Sequence, residues 1–315
     1  MRGTRCAALL FFIATIGTSL SASEAVLSLW RDWVTSVGAR DSAIAVMHNG
    51  EMAYGEAIGA SLETARPIHS ISKMITGACV MALIDEGALT LGTRVGDVID
   101  AGNSPAGALT VENVLTHTGG LGPDETQNAI RVATNPRSPT DALVTQRALV
   151  RPLRSETGHA YNNENYAVLG EVIAAVTGET TEDACRARVL TGLTSAENRE
   201  GQGSGLAYGG WAMSMLDLAV FGARYELHGD APRVSAAPGV DYGPGVLIRD
   251  TSAGPNLWHY GGLCLFRRGS GAALFVLPQG LTMAVSYDVC ASNEDLRALE
   301  QTVLAPAARA MVTAQ

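Results

Sequence analysis

The order of local patterns constrains this chain more than any single motif. Strand-like segments lie near both ends, and the long stretch between them, from about residue 88 to 236, carries mostly short helical patterns. Residues 24–37 place Val26, Leu29, Trp30, Trp33 and Val37 at three- and four-residue steps, the period of an amphipathic helix. Residues 42–48 and 51–58 flank Asn49-Gly50, a dipeptide suited to the tight turn of a hairpin. Residues 70–86 read as a helix closed by Gly87. Helical patterns follow at 110–117, 140–150, 163–176, 181–193 and 214–227, separated by loops bearing Gly and Pro. Strand patterns return at 240–248, 256–267, 272–277 and 281–287, and a last helix spans about 293–312. Strands split between the two ends can share a sheet only if the middle is an insertion. The expected fold is therefore α/β of the α+β kind: an antiparallel sheet from both chain ends, flanked by terminal helices, with a mostly helical region inserted. Residues 24–65 and 238–315 would form the sheet region and 66–237 the helical one, together one catalytic unit.

The first 23 residues read as a cleavable signal peptide. Arg2 and Arg5 supply the positive start, residues 6–17 an apolar run too short to cross a bilayer, and Ser21-Ala22-Ser23 small residues for cleavage. No later apolar stretch reaches membrane length, so no membrane span is expected after signal removal, and the expected location is periplasmic or secreted. A mean hydropathy of +0.13 and 17% charged residues are those of a chain that packs a core. The net charge of −9 argues against a nucleic-acid partner, which requires a basic stripe; the densest basic pair is Arg267-Arg268.

Cys6 leaves with the leader, so Cys79, Cys185, Cys264 and Cys290 remain in an oxidising compartment. Cys264 and Cys290 are closest in sequence and both lie near strand patterns, which favours them as a disulfide. Four cysteines allow three connectivities; Cys79 and Cys185 sit in helical patterns, where a buried free thiol is the alternative to a bridge. There is no C-x-x-C and no His is followed by Glu, so no metal is expected, and no cofactor.

Of 22 basic residues, 21 are arginine and one, Lys73, is lysine. Arginine cannot release its proton in a protein, whereas a lysine can be tuned into a base. Lys73 follows Ser70 by three residues at the start of a helix, after an extended lead-in at Pro67, so the two side chains share one face. A serine hydroxyl becomes a nucleophile once an adjacent base takes its proton, and a helix N-terminus favours the developing negative charge. A lysine exposed on a capped helix is the alternative. Tyr161 and Asn163 form a second candidate pair, as proton carrier and amide-binding group; packing for Tyr161 and helix capping for Asn163 remain open. His259-Tyr260-Gly261-Gly262 is the third: glycines within a strand permit close approach of backbone or ligand, and the Gly262 N–H can complete an oxyanion hole with that of Ser70. A bulge beside a partly buried His259 is the competing reading. His117 reads as a loop histidine bonded to backbone. No Ser occupies a G-x-S-x-G elbow, and neither a dinucleotide fingerprint nor a P-loop occurs.

Ser70-x-x-Lys73, Tyr161-x-Asn163 and His259-x-Gly261, in this order, resemble the serine hydrolases related to class C β-lactamases, DD-peptidases and esterases. Supporting stretches are similar too: Ala82-Leu83-Ile84-Asp85-Glu86-Gly87, Leu115-Thr116-His117-Thr118-Gly119-Gly120-Leu121, and Gly209-Gly210-Trp211 with Ser214 and Asp217. The resemblance covers roughly residues 40–290. It implies a β-lactamase/transpeptidase-like fold and cleavage of a small ester, amide or peptide-like substrate through an acyl-enzyme on Ser70. Lys73 and Tyr161 would share the proton relay, with either as base. Asn163 would hold the relay and a substrate amide, while the Ser70 and Gly262 N–H groups would bind the oxyanion. His259 stands where true class C β-lactamases have Lys, and Tyr260 where they have Thr. A fixed cation and a small hydroxyl are thus missing; His259 is only conditionally charged near neutral pH. The chain departs there from β-lactamase or DD-carboxypeptidase proper towards the family's esterases and amidases. A non-catalytic penicillin-binding or sensor protein is the alternative of another class.

Overall fold

The computed structural model describes residues 6–126, 140–155, 158–227, 229–265 and 268–313, with side chains from residue 22 to 310. Eight strands form one antiparallel sheet in the order β2-β1-β11-β10-β9-β8-β7-β6. They are β1 (Ser42–His48), β2 (Glu51–Ile58), β6 (Val234–Ala237), β7 (Val240–Tyr242), β8 (Leu247–Thr251), β9 (Gly254–Leu265), β10 (Arg268–Val276) and β11 (Leu281–Tyr287). The first and last of the long strands lie side by side, Ser42 opposite Tyr287 and His48 opposite Leu281. This is the expected sheet from both chain ends. The hairpin turn also forms as read, with Asn49 and Gly50 both at positive φ.

Side chains alternate across this sheet with period two. Ala43, Ala45, Ala272, Leu274 and Ala284 face the core shared with the central helices. Ile44, Val46, Ala273, Phe275, Met283 and Val285 face the other way, towards Trp30, Trp33, Leu299 and Val303 of the terminal helices. Those terminal helices are α1 (Cys6–Val37) at the start of the chain, and α10 (Asn293–Leu299) and α11 (Ala305–Thr313) at its end. A π-helical turn at Glu300–Leu304 joins the last two, so the single helix expected at 293–312 is interrupted. Trp33 Nε1 donates to Asp295 O at 2.9 Å, tying the two ends together. The amphipathic helix expected at 24–37 continues back to Cys6. The expected leader falls partly outside the described residues: 1–5 entirely, and 6–21 except for their helical backbone. Among the described residues no helix is long and apolar enough to cross a membrane.

Between the sheet halves lie α2 (Ser72–Asp85), α3 (Val95–Val98), α4 (Val111–Leu115), α5 (Asp141–Leu149), α6 (Asn163–Thr177), α7 (Thr181–Val189), α8 (Leu206–Gly209) and α9 (Met215–Arg224). Thr110, Thr140, Thr180 and Ser214 cap four of these with side-chain oxygens. A small second sheet, β3 (Arg66–Pro67), β5 (Trp211–Met213) and β4 (Glu197–Asn198), was not foreseen. The strand read at 240–248 divides into β7 and β8, because Pro244 and Gly245 (φ +81°) make a turn within it. The strand read at 256–267 ends at Leu265, with Phe266 and Arg267 outside the described residues.

Cys264 and Cys290 are bridged as expected, and Cys79 and Cys185 form a second disulfide, which decides against the free-thiol alternative. α2 and α7 pack side by side and bring the two Cα atoms to 5.3 Å, within bonding range. The bridge closes a separation of 106 residues across the helical region. Replacing both Cys79 and Cys185 with Ala should lower stability by about 2–4 kcal/mol, read as a lower denaturant midpoint. An unchanged midpoint would rule out a stabilising bridge.

Candidate active site

Ser70 lies in a single 3-10 turn, His69–Ile71, and α2 begins two residues later at Ser72. The lead-in is held by β3, where Arg66 pairs with Met213 and Pro67 with Ala212, and the Ile68 N–H donates to Trp211 O at 3.0 Å. Two side chains of α2 fasten it to the following wall. Thr76 Oγ1 donates to Ala207 O at 2.7 Å, and Ser72 Oγ accepts from the Trp211 N–H at 3.1 Å. The Gly209-Gly210-Trp211 stretch thus braces the segment that carries Ser70. His69 adopts φ +48°, a left-handed conformation uncommon for a residue with a side chain. Its Nε2 is 2.9 Å from Ser270 Oγ, and burial lowers its pKa to about 4.

Lys73 is fully buried. Nζ donates to Asn163 Oδ1 at 2.6 Å and to Tyr208 O at 2.8 Å, and lies 4.8 Å from the centre of the Tyr161 ring. Removal from water disfavours the ammonium and lowers the pKa to about 7, against the opposing pull of Asp124 and Asp141. Exposure on a capped helix is excluded. Asn163 is the first residue of α6, and the N-cap is Asn162, whose Oδ1 accepts from the Glu164 N–H. That corrects the capping alternative for Asn163. Asn163 Oδ1 faces Lys73, while Nδ2 donates to Thr126 Oγ1 at 2.8 Å.

Tyr161 is 37% exposed, but its hydroxyl is enclosed by Ser70 and His259. Desolvation holds its pKa well above the ordinary tyrosine value, and the Ser70 hydrogen bond opposes that only in part. His117 pins the backbone on either side of it. The His117 carbonyl accepts from the Ala160 N–H at 3.0 Å, and Nδ1 accepts from the Asn162 N–H at 3.3 Å. His117 is thus bonded to backbone as read, and also stacks 4.8 Å from the Tyr161 ring.

His259 differs from its expectation. Its Nδ1–H donates to Gly245 O at 2.6 Å, which leaves Nε2 as an acceptor 3.4 Å from Tyr161 Oη. Burial and the proximity of Lys73 lower its pKa to about 3. It is a neutral acceptor across the physiological range, not a conditional cation. Tyr260 points to the opposite face of β9, where it packs on Phe275 and its hydroxyl donates to Glu300. Its bulk therefore does not enter the site. Gly261 faces the same side as His259, and a Cβ there would lie 2.0 Å from Ile68 O. β8 accompanies β9 only as far as Trp258, and beyond that point β9 passes close to the nucleophile segment. Gly262 and Ser70 line one cavity of about 390 Å³, with Cys264 at its margin.

All seven residues expected at the site therefore converge. Sequence reasoning missed three supporting groups: the Tyr208 carbonyl, Thr126, and Gly245, whose backbone packs on Lys73 O and whose carbonyl fixes the His259 tautomer. The Pro244-Gly245 dipeptide was the available signal for the last. Among the described residues no group of three His, Cys, Asp or Glu could hold a metal ion.

The fold has counterparts. The chain matches the Beta-lactamase family over residues 30–304 and belongs to that family. It is 30% identical over 149 residues to penicillin-binding protein 4 of Amycolatopsis lactamdurans, a match covering 46% of this chain and 38% of that protein. Its fold is similar to that of the octameric penicillin-binding protein homologue from Pyrococcus abyssi (TM-score 0.74, 18% identity, 89% of this chain and 76% of that one). It is equally similar to a β-lactamase/D-alanine carboxypeptidase from Pseudomonas syringae (TM-score 0.74, 13% identity, 90% and 99%).

The close approach at Gly261 yields a prediction. Gly261→Ala must push β9 away from Ile68, and a displacement near 1 Å should cost on the order of a hundredfold in turnover. Gly262→Ala, whose Cβ would meet nothing nearer than Ser270 O at 3.8 Å, should cost far less. Parallel rate and thermal-melting measurements check this, and equal losses in the two variants would refute it.

Proposed function

We propose that this protein is an exported serine hydrolase that cleaves a small ester or amide through an acyl-enzyme on Ser70. The observation that carries the reading is the state of Lys73. A neutral amine has two N–H donors and one lone pair. Two acceptors, Asn163 Oδ1 and Tyr208 O, occupy those donors, and the lone pair is left to take a proton. With a pKa near 7 on Lys73 and a strongly raised one on Tyr161, Lys73 is the base and Tyr161 a proton carrier. These two shifts support Lys73 in the choice that the motifs alone left open.

In the acylation step Ser70 Oγ bonds to the substrate carbonyl carbon as its proton passes to Lys73. The carbonyl oxygen takes the negative charge, with the N–H groups of Ser70 and Gly262 as its donors. Collapse breaks the bond to the leaving oxygen or nitrogen, which receives a proton through Tyr161; His259 Nε2 accepts the Tyr161 hydrogen bond in the resting state. Water then attacks the acyl ester, releasing the acid and restoring the Ser70 hydroxyl. The neutral His259 offers no fixed charge to a substrate carboxylate beside Tyr161, so turnover of β-lactams and D-Ala-D-Ala peptides should be slow beside that of simple esters. The leader-like N-terminus supports export to the periplasm or medium.

A chromogenic ester should give a burst of product followed by slower turnover, absent in Ser70→Ala; a well-folded protein that turns over no ester, amide or β-lactam would overturn the proposal. Lys73→Arg should keep the fold but lose acylation by about 10²–10⁴-fold, since the guanidinium cannot deprotonate. The acylation rate should rise with pH through about 7 as Lys73 loses its proton, and remain level above that because Tyr161 stays protonated. A flat profile from pH 5 to 9 would contradict the role of Lys73.

A further inference from the structure

The walls of the cavity that opens from Ser70 include Ser70, Asn163 and Gly262, together with Gly209 to Trp211 and Leu263 to Leu265. Tyr161 and His259 do not line it. If Tyr161 delivers the proton to the leaving group, that group departs on the Tyr161 side, and the cavity houses the acyl portion. This step rests on the function proposed above.

The charge of that cavity is unusual for this chain. The whole sequence has 31 acidic and 22 basic residues, yet no Asp or Glu lines the cavity among the described residues. Its one cationic side chain among them is Arg199; the other titratable nitrogen group, His69, is held neutral by burial. Arg199 is also oriented. Nε and Nη2 both donate to Glu197 Oε2, at 3.1 and 2.8 Å, and Nη2 also reaches Ala65 O at 3.5 Å. Glu197 itself is half-exposed and is not among the lining residues. Nη1 has no protein partner among the described residues, so the fork is braced on one edge and free on the other. A guanidinium held in this way matches a carboxylate with charge-assisted hydrogen bonds.

We propose that Arg199 reads an anion on the acyl side, so that the preferred substrates are esters or amides of short acids carrying a second, free carboxylate. The leaving group is then the neutral half of the substrate.

The test compares p-nitrophenyl monoesters of succinic, glutaric and adipic acid with p-nitrophenyl butyrate and hexanoate. The three diacids vary the distance between the reacting carbonyl and the charge. At least one monoester should exceed its neutral counterpart in kcat/KM by on the order of tenfold at low salt, with the preference shrinking as ionic strength rises. Arg199→Gln should abolish that ratio, and Arg199→Glu should reverse it, favouring an acyl chain that ends in an ammonium group, such as 6-aminohexanoate. Thermal melting verifies that both variants fold. If neutral esters are turned over but no monoester is preferred, or if the preference survives in Arg199→Glu, the inference about Arg199 fails and the hydrolase reading stands. If no ester is turned over, the inference about Arg199 fails, and the hydrolase reading falls with it only if amides and β-lactams are not turned over either.

Discussion

An amine kept out of water is the constraint on which this active site depends. A buried ammonium without compensation is costly, and the protein meets that cost partly by letting Lys73 become neutral near pH 7. The surroundings are arranged to suit such a group. Two carbonyl-type oxygens accept its two N–H bonds, three aromatic rings (Tyr161, Tyr166 and Tyr208) enclose it, and the main-chain oxygen of Lys73 is covered by the Gly245 backbone. Two carboxylates, Asp124 and Asp141, limit how far the pKa falls. A lysine buried without them would lose its proton at lower pH and be a weaker base.

The site exists only where separate layers meet. Ser70 comes from the 3-10 turn before α2 and Lys73 from its first turn, Tyr161 from the lead-in to α6 and Asn163 from its first residue, and His259, Gly261 and Gly262 from β9. Glycine is the residue that allows these layers to close. At Gly261 and at Gly245 a methyl group would overlap a backbone oxygen, that of Ile68 in one case and Lys73 in the other. The rigid sheet supplies the reference surface, and the helices are fastened to it by Ser72, Thr76 and the β3–β5 pairing.

Much of this was legible from residue order. β1, β2 and β11 begin and end where the sequence places them, because turns bound their apolar runs: Asn49-Gly50 separates β1 from β2, and Gly280 precedes β11. The Ser70–Lys73 spacing was readable because the two residues are local to one turn, and a single lysine in the chain draws attention to itself. What failed was non-local. The charge of His259 depends on a carbonyl from a different turn and on its distance from Lys73. The Cys79–Cys185 bridge depends on how α2 and α7 pack, which neither helix encodes alone. Two-residue strands such as β3 and β4 are too short to carry a pattern. The direction of Tyr260 was within reach, since it follows His259 on one strand and must point to the other face.

The pairing of β1 with β11 has a consequence in time. Residues some 240 positions apart must meet before the sheet is complete, and β9, which carries Gly261 and Gly262, lies two places further into the same sheet. Such remote contacts form late, after the entropy of a long loop has been overcome. A chain still being synthesised holds Ser70 and Lys73 well before it holds Gly262 or the strand that seats β1. Ser70 and Lys73 are therefore made early, and the chemistry proposed for them can begin only once the last strand has arrived.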